Sequence, residues 1–414
     1  MGLENMARQA KVASMQMMTI STAIKDNALK AAAKALRDNY LKIVEANKKD
    51  MEAAEKAGTS SALLDRLMLN KQRVEEMAVS AEEIVSLKDP IGEVVGGSKL
   101  ANGLKLSRVR VPLGVIGVIY EARPNVTVEA ASLCVKAGNA VILRGGSSAN
   151  HSNKILVELI SNACISAGLP QGVVQMIEDT SHQTADKFMQ LDKYLDVLVP
   201  RGGNELIKAV VEKATVPVLW AAAGNCHTYV DKDANQDMAI DIAINAKCQR
   251  PGVCNAMETL LVHKDIANDF LPKATSEMKA NGVKMYGDKK AQAIVSDLSK
   301  ATEKDYYTEY LSLELAIRVV DSLDEAIAHI NKYGTGHSEA IITDDYSSAQ
   351  TFTEGVDAAA VYVNASTRFT DGGQFGMGAE IGISTQKLHV RGPMGLEALT
   401  STKYVIYGSG QTRQ

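Results

Sequence analysis

The feature that most constrains this chain is a regular alternation between residues 115 and 219. Short apolar runs, Val115–Tyr120, Ala140–Arg144, Val173–Ile177, Val197–Val199 and Val216–Leu219, read as buried strands. Stretches with helical spacing lie between them at 127–136, 151–166, 181–190 and 204–213. Strands alternating with helices imply a parallel sheet covered by helices on both faces. Sheets of that kind bind nucleotides at the carboxyl ends of their strands.

A second α/β stretch runs from Thr228 to about residue 370, with strand candidates Leu260–Val262, Arg318–Val320, Ala340–Thr343 and Ala360–Val363. Helices are expected at 234–247 and 323–332. Ahead of the first stretch, residues 5–58 read as long helices, Thr59-Ser60-Ser61 as a cap, and 71–87 as a helix stopped by Asp89-Pro90. Glycines and alternation from Gly92 to Arg110 suggest a hairpin, and Tyr404–Tyr407 a short last strand. A chain of 414 residues is too long for one ordinary domain, so two or three are expected.

Bulk properties remove several function classes. Hydrophobic residues make up 46% and charged residues 23%, the balance of an ordinary soluble protein. With a net charge of −4, no basic excess argues for nucleic acid or an anionic membrane surface. No apolar run approaches a membrane span, and the first residues lack the apolar core of a signal peptide. The 5 cysteines are odd in number, widely spaced and without metal-site spacing, so no metal is expected and a reducing, cytoplasmic location fits.

Neither a GxGxxG turn after the first strand nor a GxxxxGK[ST] loop is present. Two strand-to-helix turns instead pair an arginine with glycines: Arg144-Gly145-Gly146-Ser147 and Arg201-Gly202-Gly203. Glycines let backbone N–H groups approach a phosphate, and an arginine fork grips one. Either turn can equally be a plain connection. Asn125, close to a helix start, is either an N-cap or an amide donor to an oxyanion. Cys254 lies between a helical run and the apolar Thr259–Val262, behind the breakers Pro251 and Gly252. A thiol on such a fixed loop suits a nucleophile; a small buried hydrophobe is the plain alternative. His227 either assists proton transfer or is structural, and the other cysteines read as packing.

Val111–Thr127, Val141–Ser147, Pro200–Asn204, Gly224–His227 and Gln249–Ala256 together resemble the aldehyde dehydrogenase superfamily. Within it they closely resemble the branch that reduces L-glutamyl 5-phosphate in the second step of proline biosynthesis. The resemblance implies an α/β, aldehyde dehydrogenase-like fold: a Rossmann-like cofactor domain (1–103 and 115–225), an α/β catalytic domain (226–372) and a small β oligomerisation arm (104–114 and 396–414). It implies that Cys254 carries a thioester and that Asn125, with the Cys254 N–H, faces the oxyanion. Arg144, Gly145, Gly146, Ser147, Arg201, Gly202, Gly203 and Glu309 would bind the cofactor. Relatives that prefer NAD often carry a carboxylate at the Ser147 position; its absence beside an arginine favours NADPH/NADP. Hydrolytic relatives carry a water-activating Glu about where this chain has Trp220–Ala223, and no carboxylate stands there. That favours phosphate expulsion over hydrolysis.

The substrate's α-carboxylate needs a partner. Ser366 and Arg368 are candidates, with Arg123 a rival; Arg368 as a solvated loop residue is the bland reading. The resemblance also implies a homo-oligomer and a functional link to glutamate 5-kinase. Two other readings remain at this stage: an aldehyde oxidiser that hydrolyses its thioester, and a catalytically silent binding protein.

Overall fold

The computed structural model describes residues 2–121, 123–220 and 223–413. The chain divides into two compact units. One comprises Met1–Trp220, Gly376–Gly382 and Met394–Gln414; the other comprises Ala221–Phe375 and Ile383–Pro393.

The first unit is built on a parallel sheet of Val174–Met176, Ala140–Arg144, Val115–Tyr120 and Val197–Arg201, in that spatial order. Every residue of Val115–Tyr120 and Ala140–Arg144 is buried, as continuous apolar runs require in a sheet covered on both faces. Ala7, Ala10 and Ala13 of the helix Leu3–Met17 share a core with Val115, Ile119, Ala140 and Ile142. The helices Pro124–Lys136 and Asn150–Ser166 follow their strands, and Thr22–Asp38 and Lys71–Ser86 pack on them. Each fully buried aliphatic side chain here is worth about 1.5–3 kcal/mol.

Strand order fixes where a ligand belongs. The chain builds outward from Val115–Tyr120 on one side, then crosses to place Val197–Arg201 on the other. The crevice at such a reversal lies at the carboxyl ends of these two strands. The run Val216–Leu219 does not become a full strand. Only Val218 bridges to Leu198, and Pro217, which has no N–H, cannot donate to a ladder.

Val94–Lys99, Lys105–Pro112 and Thr400–Tyr407 form a separate antiparallel sheet with Lys105–Pro112 at its centre. Thr400–Tyr407 is an edge strand with Tyr404, Ile406 and Tyr407 exposed.

The second unit carries a seven-stranded parallel sheet: Ser299–Lys300, Lys284–Gly287, Glu314–Val320, Met257–His263, Cys226–Val230, Ser338–Ile342 and Ala360–Val363. Its central strands are fully buried. Helices Gln236–Cys248 and Lys264–Ala280 cover one face through Ala239, Ala243, Ala246, Phe270 and Leu271. Leu323–Tyr333 and Tyr346–Gly355 cover the other through Ala326, Ile330 and Phe352.

Candidate active site

In the first unit the two glycine turns differ physically. The helix behind Arg144–Ser147 begins at Asn150, and Asp50 already fills its positive end. The Asp50 carboxylate accepts from His151 N at 3.1 Å, Ser152 N at 2.8 Å and Ser152 Oγ at 2.6 Å. Those N–H groups are spent on protein. The helix behind Arg201–Gly203 begins at Asn204 with Gly203 as its N-cap. Gly203 has no side chain to cap the helix, and a Cβ there would meet only Glu121 Oε1, at 3.8 Å. This turn also stands at the strand reversal. Of the two turns, the one at Gly202–Gly203 leaves its helix N-terminus without a side-chain cap, which is the end that attracts an anion.

Arg144 is largely buried. Its Nη2 donates to Thr180 O at 2.6 Å, while its Nε has no hydrogen-bond partner. Burial pulls the guanidinium down from its ordinary range, and Asp179 opposes that. A buried donor without a partner suits an incoming polar group. Ser147 is exposed at the start of a short 3₁₀ turn. Arg201 lies against Gly382. Asn125 is exposed at the second position of the helix Pro124–Lys136, so Arg123, not Asn125, is the N-cap. Proline's fixed φ suits the first helical position and moves the start one residue earlier.

In the second unit the thiol loop leaves the helix Gln236–Cys248 and enters the strand Met257–His263. It sits at the amino edge of the sheet. Gly224 precedes the next strand, Cys226–Val230, on the same edge. A Cβ on Gly224 would fall 1.5 Å from the Cys254 carbonyl oxygen. Only glycine allows these two backbones to touch. Gly224 N donates to Glu309 Oε1 at 2.7 Å. Burial pushes the Glu309 carboxyl up, and the Gly224 N–H works against it. Cys226 Sγ donates to Cys254 O at 3.2 Å.

A second set of bonds holds the loop from the Ser366–Thr370 segment. Asn255 Nδ2 donates to Arg368 O at 3.2 Å and Thr370 O at 3.0 Å, and Thr367 Oγ1 donates to Asn255 O at 2.7 Å. The Arg368 guanidinium donates to Asn255 Oδ1 and, through Nε at 3.0 Å and Nη2 at 2.9 Å, to Gln249 Oε1. Burial, with the neighbouring Arg250 cation, lowers its pKa, and Cys254 opposes that. Ser366 is buried, and its Oγ accepts from Arg368 N. Cys254, Glu309, Ser366 and Arg368 thus meet in one unit. Asn125, Arg123, Arg144, Ser147 and Arg201 belong to the other.

His227 is fully buried, with Nδ1 2.9 Å and its backbone N 2.6 Å from Glu339 Oε2 on the adjacent strand. That pair ties two strands together. Cys134 and Cys164 are buried within helices, and Cys248 is half-buried. Ala221 and Ala222, in the segment lacking the carboxylate, lie outside the described residues. Sequence reasoning assigned no role to Gly224 or Arg250. The glycine before a strand could have flagged close backbone approach; an exposed arginine carried no such signal.

The aldehyde dehydrogenase family profile matches residues 2–313 and 314–405. The chain belongs to that family. It is 58% identical over 409 residues to a gamma-glutamyl phosphate reductase of Carboxydothermus hydrogenoformans, covering 99% of both chains. A protein of the same name from Moorella thermoacetica is 56% identical over 412 residues, covering 100% of this chain and 99% of its own. Among solved structures, the gamma-glutamyl phosphate reductase of Thermotoga maritima superposes with a TM-score of 0.98 at 49% identity, covering 99% of each chain. An acetylating aldehyde dehydrogenase from Geobacillus thermoglucosidasius shares the fold, with a TM-score of 0.70 at 20% identity over 99% of this chain and 97% of its own.

Proposed function

We propose that this chain reduces L-glutamyl 5-phosphate to L-glutamate 5-semialdehyde and phosphate with NADPH, as the second step of proline biosynthesis. The observation that carries the reading is the pinned Cys254 loop, held by Gly224, Cys226, Asn255 and Arg368. A nucleophile needs a position set in advance. Relatives named for this activity at 56–58% identity supply the substrate class.

In this reading the Cys254 thiolate attacks the acyl carbon of the substrate. The new C–S bond forms as the C–O bond to phosphate breaks, and phosphate leaves with that electron pair. A nicotinamide cofactor, when bound, would supply the hydride chemistry for reducing the resulting thioester. Collapse to the aldehyde returns the sulfur as thiolate. Oxyanion charge is assigned to the Cys254 N–H and the Asn125 amide. Glu309 is assigned to the nicotinamide ribose, Gly202 and Gly203 to the pyrophosphate, and Arg144, Gly145, Gly146, Ser147 and Arg201 to the adenosine end. Phosphate leaves readily, so no carboxylate base is needed near Trp220–Ala223.

The cofactor domain, drawn from the sequence as 1–103 and 115–225, is assigned as far as Trp220, because Gly224 packs against Cys254; the catalytic domain, drawn as 226–372, is assigned from there on, and the strand Val94–Lys99 goes with the arm's sheet. Residues 104–114 and 396–414 form an arm whose edge strand, Thr400–Tyr407, pairs with another copy. The exposed Tyr404, Ile406 and Tyr407 support that pairing. Five free cysteines support a cytoplasmic setting, where a glutamate 5-kinase would supply the labile acyl phosphate. The α-carboxylate of the substrate is assigned to Arg368 and Ser366, with Arg123 the rival.

The test is NADP reduction by the semialdehyde with and without inorganic phosphate. Strict phosphate dependence, lost in a folded Cys254→Ala protein, is the expected result. Turnover without phosphate would point to a hydrolytic oxidiser, and turnover in Cys254→Ala would end the thioester reading.

A further inference from the structure

A buried ion pair closes the base of the Cys254 loop. Lys247 lies in the last turn of the helix before the loop, and Glu258 is the second residue of the strand after it. Lys247 Nζ is 2.5 Å from Glu258 Oε2, with both side chains at 0% exposure. The second carboxylate oxygen, Oε1, accepts from Leu311 N at 3.1 Å. Leu311 sits at φ 54°, a left-handed conformation that a leucine adopts only when its surroundings impose it. Two residues earlier, Glu309 accepts from Gly224 N, and Gly224 abuts the Cys254 carbonyl. These contacts, with the chain segments 254–258 and 309–311, form a closed circuit through Cys254, Glu258, Leu311, Glu309 and Gly224.

A buried pair of charges is a poor source of net stability, because an apolar pair of equal volume does as well. An apolar pair, however, cannot bond a lysine and a strained backbone N–H at once. We propose that Lys247 and Glu258 are positioning residues: they clasp the two ends of the nucleophile loop and set its place against the Glu309 segment. The inference rests on Cys254 as nucleophile. Glu258 acts through Leu311 and the strand, Lys247 through Glu258.

Two double variants test this. Lys247→Met/Glu258→Met removes the clasp without leaving an orphan charge, and Lys247→Gln/Glu258→Gln keeps side-chain bonding without charge. Each is assayed for melting temperature, kcat, KM, and the rate at which iodoacetamide alkylates Cys254 without substrate or cofactor, followed by mass spectrometry. The Met pair is expected to fold, to lose about tenfold to a hundredfold in kcat with little change in KM, and to show an altered alkylation rate. The Gln pair is expected to hold kcat within about threefold of the parent. A folded Met pair with parental kcat and alkylation rate overturns the proposal, and so does an equal loss in both pairs. If the Met pair does not fold, Lys247→Met alone is read by the same criteria. The alkylation rate stays informative even if Cys254→Ala remains active, so failure of the clasp and failure of the thioester reading are told apart.

Discussion

Replacing Gly224 by alanine puts the central contact of the site to a direct test. The added methyl carbon would lie 1.5 Å from the Cys254 carbonyl oxygen, 2.3 Å from its carbonyl carbon and 2.6 Å from its Cα. Ordinary contact needs about 3.5 Å, so the two backbones must part by roughly 2 Å. The obstructing atoms are main chain, and no rotamer change relieves them. Overpacking of this kind costs about 1–3 kcal/mol of stability. The larger effect falls on chemistry, because a displacement of about 1 Å at a nucleophile can cost on the order of a hundredfold. The same shift strains the bonds from Gly224 N to Glu309 and from Cys226 Sγ to Cys254 O. Gly224→Ala should therefore fold with a melting temperature lowered by a few degrees, lose about a hundredfold in kcat, and change its Cys254 alkylation rate. The assays are steady-state kinetics, thermal denaturation and mass-spectrometric labelling on one preparation. A folded Gly224→Ala protein with kcat within about twofold of the parent would refute the argument that this contact fixes the thiol.

Iodoacetamide at pH 8 should label Cys254 well before the other four thiols. Burial pushes Cys134, Cys164, Cys226 and Cys248 up, which removes the reactive thiolate, and their labelling should accelerate only as pH rises further; early labelling of Cys226 would contradict the buried geometry. Ser147→Glu should lower kcat/KM for NADPH more than for NADH, because a carboxylate there would repel a 2′-phosphate; an unchanged ratio would show that Ser147 does not face the ribose. Arg368→Gln removes the fork that holds Gln249 and Asn255. If Arg368 chiefly binds the substrate carboxylate, KM for the semialdehyde rises by roughly tenfold and simple aldehydes are spared; if both suffer equally its role is the loop, and Arg123 becomes the better carboxylate partner. Glu258 has its pKa raised by burial from 4.5 to about 7. The unfolded chain therefore ionises first, so this carboxyl's contribution to stability falls as pH rises through that window. The stability gap between the parent and Glu258→Gln, measured by urea denaturation, should accordingly narrow from pH 4.5 to 7, and a gap that widens would show that burial does not control the pair.

Local pattern alone determined the parallel sheet of the 115–219 stretch, a hairpin between Gly92 and Arg110, and the placing of Cys254 on a loop between a helix and a strand. Apolar runs and helical spacing are properties of a few consecutive residues, so they can be read without the fold. The run at 216–219 looked like a strand on the same basis, but Pro217 cannot supply the N–H that a ladder needs. The two arginine–glycine turns looked equivalent for a similar reason. They part only in three dimensions, where Asp50, distant in sequence, spends the N–H groups behind Gly146 while Gly203 stays uncapped at the strand reversal. Arg368 read either as a partner for the substrate carboxylate or as a solvated loop residue, and the fold set it beside Gln249 and Asn255. The clasp of Lys247 and Glu258, and its link to Leu311, has no sequence signature at all. Whether a charged residue faces water or a buried partner depends on which chain segments the fold brings against it, and tertiary packing alone decides that.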